Sequence, residues 1–185
     1  MIGYTVAIIA VVNILLMLTM LTKFYRKVKQ GQALVRNGIG GTRVSFSGMI
    51  VIPVLHQAEI MDISAKRVTI SLHRPESLIC RDHQRADITA VFLVRVNNTE
   101  EDVLKAAQRI GCDPDVQEKA LQDMFEAKLS VALKIVGKQF DLAELYNYRE
   151  RFMAEVLKNI GTDLNGFVID DLTIDFPEQE IKEKY

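Results

Sequence analysis

Cys80 and His83 stand three residues apart in the stretch Ile79-Cys80-Arg81-Asp82-His83, and together they come nearest to nucleophilic chemistry in this chain. An imidazole beside a thiol takes its proton and leaves a thiolate, but the pair works only when a third group orients the base. No third member is identifiable, so a small buried side chain is the plainer role for Cys80. His56 and His73 complete the histidines, and no two of the three have the i, i+4 spacing that sets two metal ligands on one helix face. Gly38, Gly40 and Gly41 superficially suggest a phosphate cradle. A P-loop needs Gly-Lys-Ser/Thr opening a helix, whereas these glycines lead into Thr42-Arg43-Val44, which reads as strand. Asp170, Asp171 and Asp175 are a third candidate, for a divalent cation. On a regular strand Asp171 and Asp175 face away from Asp170, so a solvated acidic edge, or a surface that meets a basic neighbour, is expected instead. No enzyme is predicted, and no cofactor or metal.

What organises the chain is apolar. From Ile2 to Thr22 no side chain is charged, and at ~1.5 Å rise per residue this run spans roughly 30 Å as a helix, about the hydrocarbon thickness of a bilayer. It is read as a membrane-spanning helix containing Ile2, Tyr4, Ile8, Val12, Asn13, Leu16, Met20 and Leu21. A secretory signal would have a basic leader, a shorter apolar core and a small-residue cleavage site, and none is present. Lys23, Arg26, Lys27 and Lys29 then place four positive charges within seven residues. By the positive-inside rule they put the carboxy-terminal bulk in the cytoplasm, and they touch anionic headgroups at roughly 1 kcal/mol each. Tyr4, Phe24 and Tyr25 are interfacial anchors. Asn13 is either a tolerated polar residue or the donor of a bond to a second helix, worth ~1 kcal/mol.

With 23 basic and 24 acidic residues the net charge is −1, so nothing pulls the chain toward nucleic acid. Two cysteines are too few for a disulfide framework. Beyond the collar, β-rich pieces alternate with Gly, Asn, Pro and Asp. Val68, Ile70 and Leu72 form one apolar face, and Ile88, Ala90, Phe92, Val94 and Val96 another. Turns are expected at Asn37–Gly41 and Ser47-Gly48, with Pro53 at an edge or bend. At Asn98 the period becomes helical. Thr99 with Asp102 caps a helix that stops at Gly111, and Asp113-Pro114 opens another with the stripe Leu121, Met124, Phe125, Leu129, Ala132, Leu133 and Val136, interrupted at Gly137. Asp141 and Glu144 open a third with the stripe Leu145, Tyr148, Phe152, Val156 and Ile160. A strand with an imperfect apolar face, Val168 to Phe176, follows. The expected divisions are 1–22 for the membrane helix, 23–30 for the basic segment, 31–97 for a β-rich subdomain, 98–176 for an α/β subdomain, and 177–185 for the start of a longer helix. The fold class is α+β.

The ordered set QALVRNGIGG, GMIVIPVLHQAEIMDISAKRVTI, ADITAVFLVRV and ELYNYRERFMAEVLKNIGTDLNGFVIDDLTI resembles the SPFH, or band 7, superfamily, and within it the bacterial flotillin branch. The resemblance runs from about Lys23 to Phe176. It implies an SPFH domain followed by a long coiled coil, location at a bacterial inner membrane, self-association into large ring or cage-like homo-oligomers, organisation of membrane microdomains, and a small NfeD-type membrane protein as a partner. The continuous spanning helix departs from flotillins that attach by acylation or a hairpin. The leading expectation is therefore a membrane scaffold; a module that encloses or regulates a membrane protease is the alternative, and a tethered hydrolase using Cys80 or a histidine ranks third.

Overall fold

The computed structural model describes residues 2–161 and 164–176, so segment 177–185, expected to begin a longer helix, lies outside the described residues. The chain divides between Ile63 and Ser64 into two compact units.

The first unit contains α1 (Ile2–Phe24), β1 (Tyr25–Lys27), β2 (Gln32–Gly38), β3 (Arg43–Ser45), β4 (Gly48–Ile50) and β5 (His56–Asp62). Strands β3, β2 and β5 make one antiparallel sheet, and β1 pairs with β4 in a separate two-stranded ribbon. Ala33, Leu34 and Val35 on the central β2 are buried, as are Val44, Val51 and Met61, so the middle strand is covered on both faces. The predicted hairpin at Gly38–Gly41 joins β2 to β3, closed by the Gly41 N–H on the Gly38 carbonyl at 3.0 Å. The Ser47-Gly48 turn differs from expectation. Its flanking strands pair with other partners, and it hands the chain from one sheet to the other, held by the Ser45 hydroxyl, which accepts from the Gly48 N–H at 3.1 Å and donates to its carbonyl at 3.0 Å. Pro53 lies in the bend between β4 and β5.

The second unit contains β6 (Lys66–Leu72), β7 (Leu78–Ile79), β8 (Arg85–Ala86), β9 (Ile88–Val96), α2 (Glu100–Ile110), α3 (Pro114–Gly137), α4 (Leu142–Asn147), α5 (Arg149–Ile160) and β10 (Phe167–Asp175). Its antiparallel sheet has the order β10-β9-β6. Along β6 and β9 every second residue is buried, as the period-two pattern requires. In register, Phe92 stands between Val68 and Leu172, and all three are buried; full burial of such a ring contributes about 1.5–3 kcal/mol. Helix α3 packs on β6, and α5 on β10. Phe125 meets Phe167 edge to face at 5.4 Å, and Phe140 meets Phe152 likewise at 5.5 Å. Strands β6 and β9 thus share a core with the helices, and the compact units divide earlier than the change of period at Asn98.

Two local readings are corrected. The third predicted helix is two, because Tyr148 adopts φ −123° and ψ 48° and breaks the run. Leu145, Phe152, Val156 and Ile160 are buried, while Tyr148 is exposed at the break. The imperfect face of β10 is a β-bulge. The register slips between Ile169 and Asp171, so Phe167 faces the core before the slip and Leu172 and Ile174 face it afterwards.

Candidate membrane anchor and basic collar

Along α1 the run Ile14, Leu15, Leu16, Met17 and Leu18 is exposed at five consecutive positions. Successive side chains turn by about 100°, so these five sweep more than a full circle. Tyr4, Ile8, Val12 and Met20 are exposed too, and Ile2 and Leu21 fall within the same helix. Uncovered by the other described residues, this apolar helix is long and apolar enough to cross a membrane. Its polar groups turn inward. The Asn13 Nδ2 donates to the Ile9 carbonyl at 2.8 Å, Thr19 Oγ1 to Leu16 at 2.8 Å, and Thr22 Oγ1 to Thr19 at 2.9 Å. The helix itself supplies an acceptor for the Asn13 amide, and no second helix is needed for that bond.

The cations after α1 are held by a ribbon. Lys23 is in the last turn of the helix, and Arg26 and Lys27 lie in β1. Tyr25, Arg26 and Lys27 face Ile50, Met49 and Gly48 across the pair. The ends are tied as well, by Val51 N–H to the Phe24 carbonyl at 2.8 Å and Val28 N–H to the Ser47 carbonyl at 3.2 Å. Gly48 makes this pairing possible. Its φ is +146°, and a Cβ there would stand 2.6 Å from the Arg26 carbonyl oxygen. Arg26 and Lys27 alternate sides of the strand, and Lys23, Arg26, Lys27 and Lys29 are all exposed. A groove between the helix end and the ribbon is lined by Leu18, Thr22, Tyr25, Lys27 and Ile50, apolar on its helix side and cationic at its rim. No sequence pattern marks this ribbon, since strands of three residues are too short for a period.

The other chemical candidates are occupied structurally. Cys80 is buried, and burial, with the nearby carboxylates of Asp82 and Asp141, pushes its thiol up to about 11. A thiol so placed stays protonated and is a poor nucleophile. His83 sits at φ +61° in the turn between β7 and β8, its N–H on the Cys80 carbonyl at 3.1 Å. Arg81 clamps that hairpin to α4. It donates to both carboxylate oxygens of Asp141 and, at 3.3 Å, to Glu144, and the guanidinium holds Asp141 below the usual carboxylate range. His56 Nδ1 accepts from the Ile52 N–H at 3.3 Å, and His73 Nε2 lies 3.4 Å from Thr89 Oγ1. Asp170, the extra residue of the bulge, takes both its bonds from Arg95 Nε at 2.8 Å. Among the described residues no three His, Cys, Asp or Glu side chains gather into a metal-binding group.

Residues 26–184 match the family described as SPFH domain / Band 7 family. The chain is 31% identical over 182 residues, 97% of its length, to a protein of Escherichia coli K12 named flotillin family inner membrane protein YqiK, of which the match covers 33%. It is 31% identical over 180 residues, 92% of its length, to the flotillin family inner membrane protein sll1021 of Synechocystis, of which it covers 26%. The chain therefore spans about a third or less of the relatives it matches.

Proposed function

Since the chain belongs to the SPFH domain / band 7 family, we propose that it is the anchor and first folded part of a flotillin-type membrane scaffold. α1 crosses a bacterial inner membrane once. The collar of Lys23, Arg26, Lys27 and Lys29 lies at the cytoplasmic headgroups, and the folded units stand beyond it in the cytoplasm. The observation that carries this reading is the uncovered apolar surface of α1, continued at once into a cation-bearing ribbon. Orientation follows from the four cations gathered at the carboxy-terminal end of the helix. The inner-membrane names of the two relatives support the location.

The scaffold does no covalent chemistry. Its work is to confine folded units to a plane, where each tethered copy meets the next at high effective concentration and weak lateral contacts suffice. Copies assemble in this way into ring or cage-like complexes that organise the surrounding lipids, with a small NfeD-type membrane protein as an accompanying partner. Extraction of the full polypeptide in a mild detergent, followed by electron microscopy and mass measurement, tests the reading. Large homo-oligomers are expected. Monomers alone would overturn the scaffold, and a co-purified protease whose cleavage rate changes on binding would replace it with the enclosing-regulator reading.

A further inference from the structure

The last turn of α3 and the segment that leads into β7 enclose a cleft of about 270 Å³, lined by Pro75, Glu76, Ser77, Ile79, Lys134 and Lys138. We infer that this cleft binds a small carboxylic acid as its anion, with the carboxylate held by Lys134, Lys138 and the Ser77 hydroxyl and the apolar tail laid on Pro75 and Ile79. The inference stands on the second unit alone and does not depend on the membrane reading of α1.

Ser77 is the residue that calls for a ligand. It is only 5% exposed, and its Oγ has no hydrogen-bond partner among the described residues. A buried hydroxyl left unpaired is costly, and native folds rarely leave one so. The wall that carries it is fixed. The Glu76 N–H donates to the His73 carbonyl at 2.7 Å, and Arg85 Nη1 donates to the Pro75 carbonyl at 3.0 Å. From the other side α3 comes so near that a Cβ on Gly137 would stand 2.6 Å from side-chain atoms of Leu78. That approach sets Lys134 and Lys138, neighbours one helical turn apart, against the cleft.

Cations at the end of a helix ordinarily serve its free carbonyls. Here those carbonyls have other donors. Val136 and Gly137 accept from the Gln139 and Phe140 N–H groups at 2.9 and 3.2 Å, and the Phe140 carbonyl accepts from the Arg81 N–H at 2.9 Å. Lys134 Nζ reaches Glu76 at 3.6 Å, but that carboxylate is 75% exposed, and so open a pair is weak and readily exchanged. Two lysines and one glutamate give the lining a single net positive charge. A carboxylate balances it, whereas a phosphate dianion overshoots. Three donors face a group that only accepts, and bonds between charged partners are the strong ones. Pro75 and the exposed Ile79 supply the apolar wall. At about 270 Å³ the cleft lies below the ~300–1,000 Å³ of sites for drug-sized ligands, so a short acid is the occupant.

The probe is 4-methylpentanoate, with acetate, 4-methylpentanol and inorganic phosphate as controls at equal concentration and ionic strength. The full polypeptide in detergent is labelled in trace with an amine-reactive acetyl ester, and modification is read at each lysine by mass spectrometry. Lys158, exposed and paired with Glu155 on its own helix, is the internal reference. Titrated through the millimolar range, 4-methylpentanoate should slow labelling of Lys134 and Lys138 about threefold relative to Lys158, the factor reached when the acid stands at twice its Kd. The three controls should have little effect. Lys138→Gln, at an exposed position, should abolish the protection of Lys134; Ser77→Ala should at least halve it, and Glu76→Gln should increase it. Absence of protection by 4-methylpentanoate overturns the inference, as does equal protection by acetate or phosphate. Protection of Lys134 that survives Lys138→Gln overturns it too, and that variant decides the matter if Ser77→Ala fails to fold. A tripeptide ending in leucine that protects better than the free acid assigns the carboxylate to a peptide terminus and overturns the small-molecule source.

Discussion

Val51 donates its backbone N–H to the carbonyl of Phe24 at 2.8 Å, tying the last residue of α1 to the strand that returns past it. Carbonyls at a helix end have no partner within the helix. Here one is satisfied by the ribbon that carries Arg26 and Lys27, so the chain leaves the helix along a fixed path and its charges stand in fixed places. A flexible tether would need none of these bonds.

Gly48→Val tests that path. The substitution forces a β-branched residue into φ +146° and drives its Cβ toward the Arg26 carbonyl oxygen. Backbone strain of this kind costs of order 1–3 kcal/mol, enough to release so short a ribbon. Trypsin should then cut after Arg26, Lys27 or Lys29 several-fold faster in the detergent-solubilised protein. An unchanged cleavage rate would mean that the ribbon does not hold the collar.

Gly137→Ala addresses the core of the second unit. A Cβ at Gly137 would come 2.6 Å from side-chain atoms of Leu78, and overpacking of this kind typically costs 1–3 kcal/mol. In an isolated helix the same change would be favourable by up to about 1 kcal/mol, so the sign separates packing from propensity. Chemical denaturation should show a loss in the native background and a smaller loss, or a gain, once Leu78→Ala has cleared the space. Equal losses in both backgrounds would remove Leu78 from the explanation.

Acid should weaken the second unit at two places. Thr99 and Asn97 donate to the Asp102 carboxylate, each at 2.7 Å, and hold it below the usual carboxylate range, while Arg81 does the same for Asp141. A group depressed on folding contributes stability that is fully present above its unfolded value of about 3.9 and is lost as pH falls through the folded value. The melting temperature should therefore be insensitive to these two groups from pH 6 to 8 and should drop below about pH 4, with a smaller drop in Asp102→Asn. Thr99→Ala, which removes the cap of α2, should cost about 1 kcal/mol at neutral pH.

Period and capping made much of this molecule legible. The faces of β6 and β9, the start of α2 at Thr99 and its stop at Gly111 follow from local rules, because each depends on residues a few positions apart. The bulge at Asp170 was visible only as a face that did not alternate cleanly, since the sequence does not say which residue is extra. The break at Tyr148 was hidden because Leu145 and Phe152 are seven apart, a spacing that one continuous helix would also satisfy. At the candidate site, the long apolar helix and the cations that follow it could be read directly. The ribbon could not, because it depends on contacts between residues such as Phe24 and Val51 that no short window contains.

Cys80 should be chemically quiet. With its thiol raised to about 11, only about one molecule in a thousand carries the thiolate at pH 8, and each pH unit below 11 removes a factor of ten. Alkylation of Cys80 by iodoacetamide, followed by mass spectrometry of the native protein, should be slower than that of an unfolded control by two to three orders of magnitude. Rapid modification at pH 8 would reopen the hydrolase reading that its spacing from His83 suggested.

The collar's charges can be separated from its fold. Arg26 and Lys27 pair with β4 through backbone groups, so replacing Lys23, Arg26, Lys27 and Lys29 by Gln leaves the ribbon's register intact and removes only the positive charge. Each cation near an anionic surface contributes about 1 kcal/mol, falling within a Debye length of ~8 Å at physiological salt. The quadruple variant should insert in both orientations, seen as a carboxy-terminal part digested by external protease in a substantial fraction of intact spheroplasts, where the native protein is protected. Restoring Lys23 and Arg26 should recover most of the protection, because orientation follows the charge difference across the helix and not any single residue. If the quadruple variant stays fully protected, orientation is set by the folded units instead, and the collar's role is confined to headgroup contact.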